Sequence, residues 1–183
     1  EAEAVSEGEK QISRYLQHRD RLVSHADFQT ITARTPGVDL GRVEVLSAFH
    51  PELGSNAPGD APGAVTLMVI PKFDALNPDA PAPDAIFLET ICQYINPRRL
   101  VTTEVFLRGP EYKSIYLSIG MSVIAGFSVA EVREAVKQEL LDFLSPLPVA
   151  DDEASDTRQL NPDGWPLAKP VVALELLAVA SRV

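Results

Sequence analysis

Residues 114–146 read SIYLSIGMSVIAGFSVAEVREAVKQELLDFLSP. Ile115, Leu117, Ile119, Met121 and Val123 alternate with Tyr116, Ser118, Gly120 and Ser122. This period of two predicts a strand with one buried face. After Ala125-Gly126, the run Ser128-Val129-Ala130-Glu131 has the form of a capping box, serine and glutamate each satisfying the other's backbone N–H. Val129, Val132, Val136, Leu140, Phe143 and Leu144 then recur at helical spacing, opposite Glu131, Glu134, Lys137, Gln138 and Asp142. That pattern predicts an amphipathic helix lying over the strand before it.

Working towards the N-terminus, Asp84 is placed to cap a helix through Ile95, with Phe87, Leu88, Ile91 and Ile95 as its buried stripe and Asn96-Pro97 as its stop. Ala64 to Ile70 is apolar on both faces and predicts a central strand. Between these two, residues 72–83 form a loop rich in proline and aspartate, and residues 50–63 form another. Val38 to Leu46 predicts a strand with Val43 and Val45 opposite Arg42 and Glu44. Ser24-His25-Ala26-Asp27 caps a short helix with Phe28 and Ile31 on one face, stopped by Pro36-Gly37. Leu100 to Arg108 predicts a further strand, closed by a turn at Gly109-Pro110. Towards the C-terminus, Pro170 suits the first turn of a last helix, Val171 to Val183.

LMVIPKF with a helix ending YINP is echoed by MSVIAGF with a helix ending FLSP. Two strand–strand–helix units predict an α+β fold. Its mainly antiparallel four-stranded sheet carries two helices on one face, in a permuted ferredoxin-like ββαββα order, with flanking helices at 24–35 and 170–183. The expected division is a polar tail or linker at 1–13, an α+β core at 14–148, an acidic loop at 149–164 and a C-terminal helix at 165–183. The chain starts Glu1-Ala2-Glu3-Ala4 and stops inside an apolar helical pattern, so the expectation is a segment of a longer polypeptide.

Composition narrows the function. A net charge of −10 argues against a nucleic-acid binder, which needs a basic face. No run of eighteen apolar residues predicts direct membrane insertion. The single cysteine, Cys92, rules out an internal disulfide and reads as small core filler beside the apolar stripe of its helix. His18, His25 and His50 show no metal-ligand spacing and read as surface or capping residues. Asp74, Asp79 and Asp84 are interleaved with prolines, and Asp151, Asp152, Glu153 and Asp156 form a charge run, so both sets read as solvated loops. No phosphate loop, dinucleotide fingerprint or nucleophile elbow is present. The expectation is no catalytic residue, no cofactor and no metal.

Arg98, Arg99 and Arg108 are the basic cluster of this acidic chain. They suit either the carboxyl end of the preceding helix or an anchor for a partner's carboxylates. Val171, Val172, Leu174, Leu176, Leu177, Val179 and Val183 put apolar residues all round the last helix, which predicts burial on more than one side. An interface through Leu176, Leu177 and Val183, most simply a two-fold dimer, is therefore expected.

Residues 97–105 (PRRLVTTEV) and 108–112 (RGPEY) resemble a signature of the baseplate J-like family, the baseplate assembly proteins of contractile phage tails and phage-tail-like injection systems. The resemblance continues through residues 132–136 (VREAV), 143–148 (FLSPLP) and 164–167 (GWPL). Upstream it includes Arg21-Leu22-Val23, Asp27-Phe28, Pro36-Gly37-Val38 and residues 61–65 (APGAV), so it covers residues 12–183. The matching motifs are turns, caps and strand ends, and they carry over no catalytic residue. The resemblance implies a wedge protein that scaffolds the baseplate. It would pair with itself and bind neighbouring wedge, hub or sheath-initiating subunits, and be assembled in the cytoplasm as part of the particle or virion. A metabolite-sensing ferredoxin-like module and an enzyme with an unrecognised site are the competing readings.

Overall fold

In the computed structural model, which describes residues 8, 12–13, 15–16, 19–53, 59–147, 161 and 163–183, Ala64–Pro71 forms the middle strand of a three-stranded sheet. In chain order the elements are α1 (His25–Ala33), β1 (Leu40–Ser47), β2 (Ala64–Pro71), α2 (Ala85–Ile95), β3 (Glu104–Arg108), α3 (Val129–Phe143) and α4 (Ala173–Ala180). The chain divides into two compact units. The first comprises the described residues to Asp74 together with Pro81–Pro110; the second comprises Ala75–Ala80 and Glu111–Val183.

The first unit is α+β. β1 pairs antiparallel with β2, with Val43 opposite Val69 and Val45 opposite Leu67. β3 pairs parallel with the other edge of β2, with Val65 opposite Val105 and Leu67 opposite Leu107. Parallel neighbours need a crossover, which α2 provides. Strand alternation aims Val45, Leu67 and Val69 at one side, where they join Leu22, Phe28, Ile31, Ile91 and Ile95 in the core. On the opposite face the Thr66 hydroxyl donates to the Phe49 carbonyl at 2.7 Å, and the Phe106 ring meets the His50 ring at 4.3 Å.

Local chemistry accounts for the helices of this unit. The Ser24 box is complete: the Asp27 N–H donates to Ser24 Oγ at 3.3 Å and the Ser24 N–H to Asp27 Oδ2 at 2.7 Å. Asp84 Oδ1 accepts from the Phe87 N–H at 2.7 Å, and Pro97 turns the end of α2 into a 3-10 turn, Asn96–Arg98.

The expected four-stranded antiparallel sheet is corrected to this three-stranded mixed one. Residues 115–123 form no strand, although their alternation survives in burial. Ile115, Leu117 and Met121 are 43–45% exposed whereas Tyr116 is 97% exposed. Alternation reports a covered face; a sheet also needs partners for its backbone, which a side-chain pattern cannot supply. The expected strand from Leu100 begins only at Glu104, because the Thr103 N–H folds back onto the Leu100 carbonyl.

In the second unit α3 forms as predicted, and Val136, Leu140 and Phe143 are buried with Leu176 and Val179 of α4. Its cap differs from expectation: Ser128 is the N-cap residue but its side chain makes no capping bond. Val129, at the head of the predicted stripe, is exposed, because what packs on α3 lies towards its C-terminal turns. α4 starts at Ala173 rather than Val171, with Val172 as N-cap and Pro170 outside the helix. Asp151, Asp152, Glu153, Asp156 and His18 lie outside the described residues.

Candidate functional site

Arg98 and Arg99 sit where the 3-10 turn leaves α2, and both guanidinium groups are engaged within the first unit. Arg98 Nε donates to Asp20 Oδ1 at 2.9 Å, Nη1 donates to the Tyr94 carbonyl in the last turn of α2, and the guanidinium lies 4.0 Å from the centre of the Tyr94 ring. The Asp20 hydrogen bond, set against partial burial, raises the Arg98 pKa above its already high ordinary value. Arg99 Nε donates to Asn96 Oδ1 at 2.7 Å and Nη1 to the Thr103 carbonyl at 2.8 Å. The Leu22 N–H donates to the Arg98 carbonyl at 3.0 Å, so the arginine corner ties residues 20–22 to the end of α2. Arg108 ends β3 and is half-buried. Asp20 and Tyr94, which complete this clasp, carry no sequence signal: Asp20 is 78 residues from Arg98 along the chain.

A second cluster lies in the second unit around Trp165. The Trp165 N–H donates to the Ser145 carbonyl at 2.7 Å and its indole Nε1 to the Lys169 carbonyl at 3.3 Å. Its ring meets Phe143 edge-on at 5.4 Å, Lys169 Nζ lies 4.4 Å from the ring centre, and the same ammonium pairs with Glu175 at 3.0 Å. Gly164, at φ +80°, makes the close approach possible: a Cβ there would stand 2.6 Å from the Pro146 carbonyl oxygen.

The expected interface residues of α4 part company. Leu176 is 5% exposed and belongs to the core of its own unit, whereas Leu177 and Val183 are each 51% exposed. A larger apolar surface, which pairing in the expected sheet would have covered, runs along residues 115–129. Tyr116, Ile124, Phe127 and Val129 are each at least 65% exposed. Between this segment and α3 lies a groove of about 240 Å³, lined by Leu117, Ile119, Met121, Val136, Leu140 and Leu144, with Arg133 and Lys137 beside them.

The remaining candidates are dispersed. His25 is exposed in the first turn of α1, and His50 Nδ1 accepts from the Glu52 N–H at 3.1 Å. Cys92 is exposed rather than buried, because the packed stripe of α2 passes through Ile91 and Ile95 instead. Among the described residues no three His, Cys, Asp or Glu side chains come together in a metal-binding group. No family model matches the chain, and no curated protein matches it.

Proposed function

We propose that this chain is a structural wedge component of the baseplate of a contractile tail or phage-tail-like injection particle. It scaffolds the baseplate by pairing with a second copy and by binding neighbouring wedge, hub or sheath-initiating subunits, and it is assembled in the cytoplasm as part of the particle. The baseplate setting rests on the sequence resemblance, and the observation that supports association is the apolar surface open on the second unit, from Tyr116 to Val129 and again at Leu174 and Leu177. Exposed apolar patches of this kind mark sites of association. The residues behind the baseplate J-like resemblance agree with a scaffold. Arg98 and Arg99 clasp a helix end, and Gly164 and Trp165 lock a turn, so these motifs hold backbone together.

The metabolite-sensing alternative has less support. The groove beside α3 falls below the roughly 300–1,000 Å³ of small-molecule pockets and has an apolar floor. Among the described residues no helix is long and apolar enough to cross a membrane. Disrupting the gene and imaging the resulting particles by negative-stain electron microscopy tests the proposal. Sheaths and tubes without baseplates are expected, and mass spectrometry of wild-type particles should find the chain. Normal baseplates and no trace of the chain in purified particles would overturn it.

A further inference from the structure

Residues 115–123 have the side-chain alternation of a strand and, among the described residues, none of a strand's partners. Their odd residues lean on α3: Ile119 packs against the Val136–Leu140–Phe143 cluster, and Leu117 and Met121 line the groove beside it. No backbone N–H or carbonyl from Lys113 to Val123 is engaged in a hydrogen bond among the described residues. In the first unit β2, which also precedes a helix, has a neighbour on each edge. Natural proteins guard unpaired strands with charge, proline or a bulge. Residues 114–130 contain no Lys, Arg, Asp, Glu or Pro. A segment without those guards suits a chain that is paired in its working state.

We infer that residues 115–123 pair antiparallel with the same residues of a second copy of this chain, about a two-fold axis at Ile119. The sequence is its own complement in this direction. Ile115 then opposes Val123, Leu117 opposes Met121 and Ile119 opposes its counterpart, while Tyr116 opposes Ser122 and Ser118 opposes Gly120 on the other face. Opposite residues in an antiparallel pair share a face, so both apolar faces join without interruption and no like charges meet. A two-fold contact also closes at two copies and leaves no open array. The unpaired backbone groups gain ladder partners, and Tyr116, 97% exposed in the single chain, gains a cross-strand neighbour. This deepens the self-pairing part of the scaffold reading and rests on that reading for its biological setting.

Sedimentation velocity of the 183-residue chain tests it, using substitutions at exposed positions so that folding is kept. The wild-type chain is expected to dimerise. Tyr116→Lys with Ser122→Lys sets lysines opposite each other twice and should weaken association about tenfold or more. Mixing that variant with Tyr116→Glu/Ser122→Glu should restore a mixed dimer, because each lysine then meets a glutamate in this register and in no neighbouring one. A monomeric wild-type chain would overturn the pairing, as would a lysine variant that still dimerises but is dispersed by Leu177→Lys. A monomer that is nonetheless present in purified particles removes this pairing and leaves the scaffold reading standing; a dimer absent from particles does the reverse.

Discussion

Gly164 shows how one position decides a corner. Its positive φ falls where a side chain is strained, and the Pro146 and Leu147 backbone leaves no room for a Cβ. Gly164→Ala is expected to destabilise the second unit by about 1–3 kcal/mol from backbone strain. Trp165, the chain's single tryptophan, reports on this unit in a denaturant titration followed by fluorescence; an unmoved midpoint would mean the turn adapts. Arg98 makes the complementary case in the first unit. Its planar fork reaches Asp20, the Tyr94 carbonyl and the Tyr94 ring together, an arrangement lysine cannot reproduce. Because Asp20 is partly exposed, the loss in Arg98→Lys should be modest, roughly 1 kcal/mol after solvent screening. A thermal midpoint equal to wild type would show that the clasp is ornamental to stability.

Two serines with the same sequence signature differ in what they do for their helices. Ser24 closes both bonds of its capping box, whereas the Ser128 side chain bonds to neither its N3 partner nor any other group at the helix start. Ser24→Ala should therefore cost about 1 kcal/mol, and Ser128→Ala clearly less. Urea titrations followed by circular dichroism compare them, and equal costs would contradict the difference. The helices themselves were legible, since α1 and α2 follow from their cap residues and apolar spacing and α3 from its apolar spacing. The start of β3 was not. Leu100–Thr103 carries β-forming residues, but the chain turns there to bring Glu104 beside Ala64.

Association brings charge and apolar surface into opposition. Each copy carries a net charge of −10, so two copies repel at long range while the uncharged segment 114–130 attracts at contact. Salt screens the repulsion and leaves apolar burial intact. The dimer is therefore expected to tighten as sodium chloride rises, measured by sedimentation at several ionic strengths. Weakening with salt would point to ion pairs, with Arg133 and Lys137 beside the groove the first to examine.

Ser24, Asp84, the stripe of α3 and the doubly buried β2 could be read directly from residue order, because each depends on neighbours within a few positions or on a periodic pattern. The partners were not readable. Asp20 meets Arg98 across 78 residues, β3 joins β2 parallel rather than antiparallel, and the most regular alternation in the chain, Ile115 to Val123, has no strand beside it among the described residues. Side-chain periodicity records which face of a segment is covered, since burial acts on each side chain separately. Which backbone completes its hydrogen bonds depends on segments distant in sequence or on another chain, so three-dimensional packing decides it.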